Sequence, residues 1–151
     1  QMAPDATEKG MSVELVGLDE GEVWVNGDHD ELVQVFGNLA ENALKYGDAG
    51  KRIEIGLKRS SNTVEAYVQD FGQGIAPEHV PRLTERFYRI EDGRNRARGT
   101  GLGLSIVRNV LIRHNVRLSI ASIPSEGSTF SVTFQRRAKA DSGNSVEKTY
   151  R

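Results

Sequence analysis

The run "KRIEIGLKRSSNTVEAYVQDFGQG", Lys51 to Gly74, decides how the rest of the chain is read. Ile53, Ile55 and Leu57 alternate with Arg52, Glu54 and Lys58, and Val64, Ala66 and Val68 share one face of the segment that follows. Period-2 alternation of this kind predicts two half-buried strands, each with one face toward a core. Asp70 is in phase with Val64, Ala66 and Val68, so the same alternation aims a carboxylate at the covered face. Burying a carboxylate without a partner is costly. Either the strand ends at Gln69 and Asp70 begins a turn, or Asp70 accepts a hydrogen bond from a ligand that enters the fold. In the second case Gly72 and Gly74 allow the backbone to approach that ligand closely.

Upstream, "MSVELVGLDEGEVWVNGD" reads as two short strands joined at Asp19-Glu20-Gly21. Asp28, with Glu31 three residues on, forms a capping-box pattern that starts a helix running to about Tyr46. Its apolar stripe is Leu32, Val35, Phe36, Leu39 and Ala43. Asn38, Asn42 and Lys45 lie beside that stripe, within about 60° of one another. Asparagine is a mediocre helix former. Two stacked at a burial boundary are either satisfied core-edge amides or oxygen ligands for a hard cation, with Lys45 reaching phosphate.

Downstream, "GTGLGLSIVRNVL" (Gly99 to Leu111) sets three alternating glycines before a helix predicted over about Leu102–His114, with Val107, Val110, Leu111 and His114 on its stripe. The glycines form either a plain tight turn or an anion cradle at a helix N-terminus. They do not fit a dinucleotide-binding fingerprint, because no parallel βαβ unit surrounds them, and no GxxxxGK[ST] occurs. "VRLSIASI" and "STFSVTF" close the pattern as a hairpin, with Phe130, Val132 and Phe134 pointing one way. The order β-β-α-β-β-loop-α-β-β predicts a two-layer α/β sandwich, a mixed and mostly antiparallel sheet covered on one face by helices. Residues 12–135 form that domain, between a flexible segment 1–11 and a disordered polar tail 136–151.

Composition narrows the function. With 151 residues the chain suits one domain that buries roughly two-thirds of its unfolded surface. A net charge of −1 gives no global field for nucleic acid or a membrane surface, and the absence of cysteine removes disulfides, thiolate metal sites and thiol nucleophiles. No apolar run reaches a membrane span and no signal peptide opens the chain. The start at Gln1 suggests a piece of something longer. Six of the 16 glycines fall between residues 72 and 103, beside Arg82, Arg86, Arg89, Arg94, Arg96 and Arg98, which marks that segment as the place to look for function. Arg94, Arg96 and Arg98 read as a solvated loop. Arg86 and Arg89 interleave with Phe87 and Tyr88, and the acids Glu85, Glu91 and Asp92 dilute a nucleic-acid patch. His29, His79 and His114 show no metal spacing; His114 reads as packing and the other two as exposed.

In order, "NLAENALKY", "DFGQGI", "RFYR", "GTGLGLSIV" and "EGSTF" resemble the N, G1, F, G2 and G3 boxes of sensor histidine kinases. The resemblance is to their catalytic ATP-binding domain, the Bergerat sandwich shared with type II topoisomerases, Hsp90 and MutL, and it covers about residues 12 to 135. It implies ATP as substrate and Mg²⁺ as its companion. Asp70 would bond the adenine amino group, with Gly72, Gly74 and Ile75 beside it. Asn42 would bind Mg²⁺, Asn38 would support it, Lys45 would touch phosphate and Tyr46 would pack near the nucleotide. Gly99, Thr100, Gly101, Leu102, Gly103 and Leu104 would form the phosphate end of a mobile lid, and Arg89 and Thr129 would also line the nucleotide. Arg86 would steady γ-phosphate charge, and Glu41 would assist the attacking imidazole as a base.

Thr84 before "ERF", and His114-Asn115-Val116 where His-Gly-Gly is usual, resemble the phosphate-regulon sensor kinase branch. No phospho-acceptor box is present. The resemblance therefore places a histidine-bearing dimerisation domain upstream and implies a cognate response regulator, a homodimeric parent and a monomeric fragment with little turnover of its own. It implies no nucleic-acid partner and a cytoplasmic domain, and leaves open whether the parent is anchored in the bacterial inner membrane. Two other readings stay open, a non-catalytic regulatory pseudokinase module and an ATPase clamp.

Overall fold

The alternation at Lys51–Gly74 becomes the middle of a sheet. In the computed structural model, which describes residues 10–47, 50–88, 103–138 and 146–148, β1 (Ser12–Val16), β3 (Arg52–Arg59), β4 (Thr63–Asp70), β6 (Gly127–Gln135) and β5 (Leu118–Ile123) line up in the order β1-β3-β4-β6-β5. β1 runs parallel to β3; the other three pairings are antiparallel. The register sets Ile55 opposite Val68 and Val68 opposite Phe130, so the apolar residues of three strands form one continuous face. α1 (His29–Tyr46) and α2 (Gly103–Arg113) contribute the other half of the same core. Each fully buried aliphatic or aromatic side chain there, Leu39, Ile53, Val68 and Phe130 among them, is worth about 1.5–3 kcal/mol. The two-layer sandwich expected from the element order is the fold observed.

α1 begins with the N-cap half of its capping box: the Asp28 carboxylate accepts the Glu31 N–H at 3.0 Å, while the Asp28 N–H goes to His114 and the Glu31 carboxylate to Arg113. Leu32, Val35, Phe36, Leu39 and Ala43 are all buried. His114 does more than pack. Its Nδ1 donates to the Val110 carbonyl (2.9 Å) and its Nε2 accepts the Asp28 N–H (3.0 Å), which fastens the end of α2 to the start of α1.

β1 and β2 (Trp24–Asn26), the strands read on either side of Asp19-Glu20-Gly21, do not pair with each other: β1 lies along β3, and β2 pairs antiparallel with β7 (Val146–Lys148) in a separate two-stranded sheet. The turn therefore carries the chain from one sheet to another, and the parallel register sets Val13, at the core edge, beside Ile53. One expectation is corrected: within 136–151, Val146–Lys148 is a strand rather than patternless tail. Backbone pairing to the open edge of β2 needs no apolar pattern, so composition gives no sign of it.

The uncovered face of the sheet carries a polar cluster around Tyr67. The Tyr67 hydroxyl donates to Glu54 at 2.7 Å, and Lys58 Nζ lies 5.0 Å from the Tyr67 ring centroid. Burial, the Glu54 hydrogen bond and the nearby Glu54 and Glu65 charges push the phenol up to about 12. A folded-state value above the ordinary one stabilises the fold below about pH 10, and that stability is lost as pH rises toward 12. Alkaline unfolding followed together with phenolate absorbance is expected to show this loss between pH 10 and 12, and Tyr67→Phe is expected to remove it.

Candidate nucleotide site

Asp70 ends β4 on the core side, between Ile53 and Ser128 in the register, and only 5% of it is exposed. Its carboxylate accepts the Gly72 N–H at 3.0 Å and a backbone hydrogen bond from Ser128. Burial pushes the carboxyl up from its ordinary value, and those two hydrogen bonds pull it partly back. No cationic side chain among the described residues pairs with it, which is unusual for a carboxylate so enclosed.

The wall over Asp70 is the end of α1. The N–H of Gly47 closes the helix on the Ala43 carbonyl at 2.8 Å. A Cβ on Gly47 would fall 2.6 Å from Asp70 Cγ, and one on Gly72 would fall 2.7 Å from the Gly47 Cα. Helix end and strand end thus meet backbone to backbone, with no room for a side chain between them. Along α1, which this contact brings to Asp70 at its Gly47 end, Asn38, Asn42, Lys45 and Tyr46 are half-buried and Glu41 is exposed.

The loop after Asp70 is pinned to the β5–β6 hairpin. Ser125 N–H donates to the Gln73 carbonyl (2.7 Å), Ile75 N–H donates to Ser122 Oγ (2.8 Å), and Gly74, at φ +74°, sits against the Ile123 carbonyl. Ile75 packs on the core. Gly103 opens α2, and Leu104 is half-buried against the core. Arg89, Gly99, Thr100, Gly101 and Leu102 lie outside the described residues.

Arg86 is exposed, with its guanidinium 5.2 Å from the Phe87 ring centroid. Phe87 itself is 62% exposed and holds a left-handed φ of +67°. His79 is half-buried rather than exposed: it is hydrogen-bonded to the Tyr88 hydroxyl, and Arg82 lies over the Tyr88 ring at 4.4 Å. A groove of about 640 Å³ between Val80, Thr84, α2 and β5 shares no residue with the Asp70 site.

Thr129 is corrected. It pairs with Gln69 and Ala121, on the sheet face opposite Asp70. The residue in phase with Phe130, Val132 and Phe134 is Ser128, buried to 4% and directly opposite Asp70. The sequence carried the signal, because the parity that orients the three apolar residues of β6 also orients Ser128.

Among the described residues no three His, Asp or Glu side chains gather to hold a metal ion by themselves. The half-buried Asn42 amide supplies a single neutral oxygen. That donor set suits Mg²⁺ held mainly by substrate phosphates and water. Among the described residues no helix is long and apolar enough to cross a membrane.

A two-layer sandwich in which a helix end backs a buried carboxylate through a glycine contact suits an ATP-binding domain, and comparison with known proteins agrees. The family model described as "Histidine kinase-, DNA gyrase B-, and HSP90-like ATPase" matches residues 27–138, and the chain belongs to that family. The phosphate regulon sensor protein PhoR of Pseudomonas aeruginosa is 43% identical over 127 residues, which cover 83% of this chain and 29% of that protein. The signal transduction histidine-protein kinase BaeS of Escherichia coli is 40% identical over 111 residues, covering 73% and 24%. Among solved structures, full-length ShkA in complex with AMPPNP matches with a TM-score of 0.77 and 26% identity over 92% of this chain and 28% of that one. The mycobacterial sensor histidine kinase MprB matches with a TM-score of 0.71 and 25% identity over 90% and 93%. The chain spans less than a third of the length of these curated relatives.

Proposed function

We propose that this chain is the ATP-binding catalytic domain of a two-component sensor histidine kinase. It would present the γ-phosphoryl of ATP to a histidine on a dimerisation domain outside this chain, and a response regulator would then take the phosphoryl group. The observation that carries the reading is Asp70, a carboxylate enclosed by the Gly47–Gly72 contact with no described cation beside it. A neutral hydrogen-bond donor such as the adenine amino group satisfies it without introducing a second charge. Gly72, Gly74 and Ile75 form the loop beside the base. Along α1, Lys45 supports a phosphate role because it makes no ion pair among the described residues, and Tyr46 packs near the nucleotide.

Asn42, backed by Asn38, would hold Mg²⁺, which when bound supplies charge neutralisation along the phosphates. Gly103 and Leu104, with Gly99, Thr100, Gly101 and Leu102, would form the phosphate end of the lid, and Arg89 would line the nucleotide. Arg86, on the exposed loop, is the candidate for γ-phosphate charge in transfer, and the exposed Glu41 is the candidate base for the incoming imidazole. Catalysis of this kind rests on positioning and electrostatics rather than on covalent chemistry by the protein.

The test joins the domain to its parent's upstream histidine-bearing helices and supplies radiolabelled ATP. Acid-labile, base-stable phosphate on the helices is expected, with almost no turnover by the domain alone. Nucleotide binding without phosphohistidine would make the chain a regulatory module, and steady hydrolysis by the isolated domain would make it an ATPase clamp.

A further inference from the structure

We infer that Ser122 is a positioning residue that sets the base preference of the nucleotide site by fixing the hydroxyl proton of Ser128. This rests on the nucleotide reading above. Ser122 Oγ, on β5, is met by three groups: the Ile75 N–H at 2.8 Å, the Gly127 carbonyl at 3.1 Å and Ser128 Oγ at 2.8 Å. A serine hydroxyl has one proton and two lone pairs. The Ile75 N–H takes one lone pair. The Gly127 carbonyl can only accept, so the Ser122 proton goes to it. The contact with Ser128 must then be made with the Ser128 proton, which takes the second lone pair of Ser122.

Ser122 is thereby saturated, and Ser128 has spent its only proton on it. What remains on Ser128 is lone pairs, and Ser128 sits directly opposite Asp70 on the same face of the sheet. The base end of the site therefore offers two neighbouring acceptors, the Asp70 carboxylate and Ser128 Oγ. Paired acceptors favour a purine whose 6-position donates, as the amino group of adenine does, over one with a 6-oxo group. A site built for a donor rejects the acceptor analogue because buried acceptors are then left facing an acceptor. Ser122 touches no base itself. It acts through Ser128, and through Ile75 it holds the loop that borders the pocket.

The test is equilibrium binding of ATP and inosine triphosphate, which differ at the 6-position, to the wild type, Ser122→Ala, Ser122→Thr and Ser128→Ala, with folding checked by circular dichroism. Removing the Ser122 hydroxyl frees the Ser128 proton to turn toward a 6-oxo group. The preference for ATP over inosine triphosphate is expected to fall about tenfold in Ser122→Ala, the worth of one hydrogen bond. Ser122→Thr, which keeps the hydroxyl, is expected to restore it. Ser128→Ala approaches the same question from the other side and covers the case in which Ser122→Ala does not fold. It is expected to weaken ATP while leaving inosine triphosphate unchanged, since only ATP loses a partner.

A purely structural role for Ser122 would weaken both nucleotides by the same factor. An unchanged ratio in a folded Ser122→Ala, or a Ser128→Ala that weakens inosine triphosphate more than ATP, overturns the inference and leaves the nucleotide reading standing. A folded wild type that binds neither nucleotide overturns both.

Discussion

Asp70→Asn is expected to lose ATP binding by about thirty- to several-hundred-fold, the worth of about 2–4 kcal/mol, while remaining folded. The two side chains have the same shape, so the Gly47–Gly72 contact around them need not move. What changes is the hydrogen-bonding sense. As a carboxylate, Asp70 accepts the Gly72 and Ser128 backbone N–H groups and keeps acceptor capacity for a ligand. As an amide, it can satisfy one N–H with its oxygen but must point its NH₂ either at the other backbone N–H or into the pocket. There it would face the adenine amino group, donor against donor. Stability moves the other way. Burial raises the Asp70 carboxyl above its ordinary value, so the charged form is held in the fold at a cost, and the fold is less stable once pH passes above the ordinary carboxylate range. Removing the charge is therefore expected to leave the melting temperature unchanged or higher. Calorimetric titration beside thermal unfolding checks both halves, and a folded variant with wild-type affinity would remove Asp70 from the site.

The same residue shows how far alternation alone reaches. Asp70 could be aimed at the core because β4 holds strict parity from Val64 to Asp70, and the strand does run through Gln69 to that end. The Asp28–Glu31 cap and the stripe of α1 were legible for a similar reason, since each is a local rule confirmed by local geometry. What escaped was non-local. Nothing near Val13 announces a parallel partner more than thirty residues away, and nothing in Val146–Lys148 announces β2. Thr129 was placed by resemblance where parity, applied to the neighbouring Phe130, would have chosen Ser128. The backbone contact between Gly47 and Gly72 was also invisible, because two glycines 25 positions apart carry no sign that they touch.

Gly47→Ala is expected to damage the fold and the site together, and Gly37→Ala is its control. Gly47 has a φ of −105°, a conformation open to any residue, so glycine is there for space rather than for backbone freedom. Its added Cβ would press on Asp70 Cγ at 2.6 Å and on the Ala43 carbonyl at 2.8 Å, inside a contact where both partners are main chain or a short buried side chain. Overpacking of this kind costs about 1–3 kcal/mol, or about 2–10 °C in melting temperature for a chain of this size. Because the methyl group drives α1 away from β4, it also separates Asn42 and Lys45 from Asp70, and ATP affinity is expected to fall with stability. Gly37 lies on the exposed side of the same helix, where an added Cβ meets nothing within 4 Å. There the gain in helix propensity is expected to stabilise the fold by about 0.5–1 kcal/mol with ATP affinity unchanged. Thermal unfolding and ATP titration of the two variants separate a contact that builds the site from a helix that merely carries it. If Gly47→Ala melts and binds like the wild type, the junction of α1 with β4 does not set the geometry around Asp70.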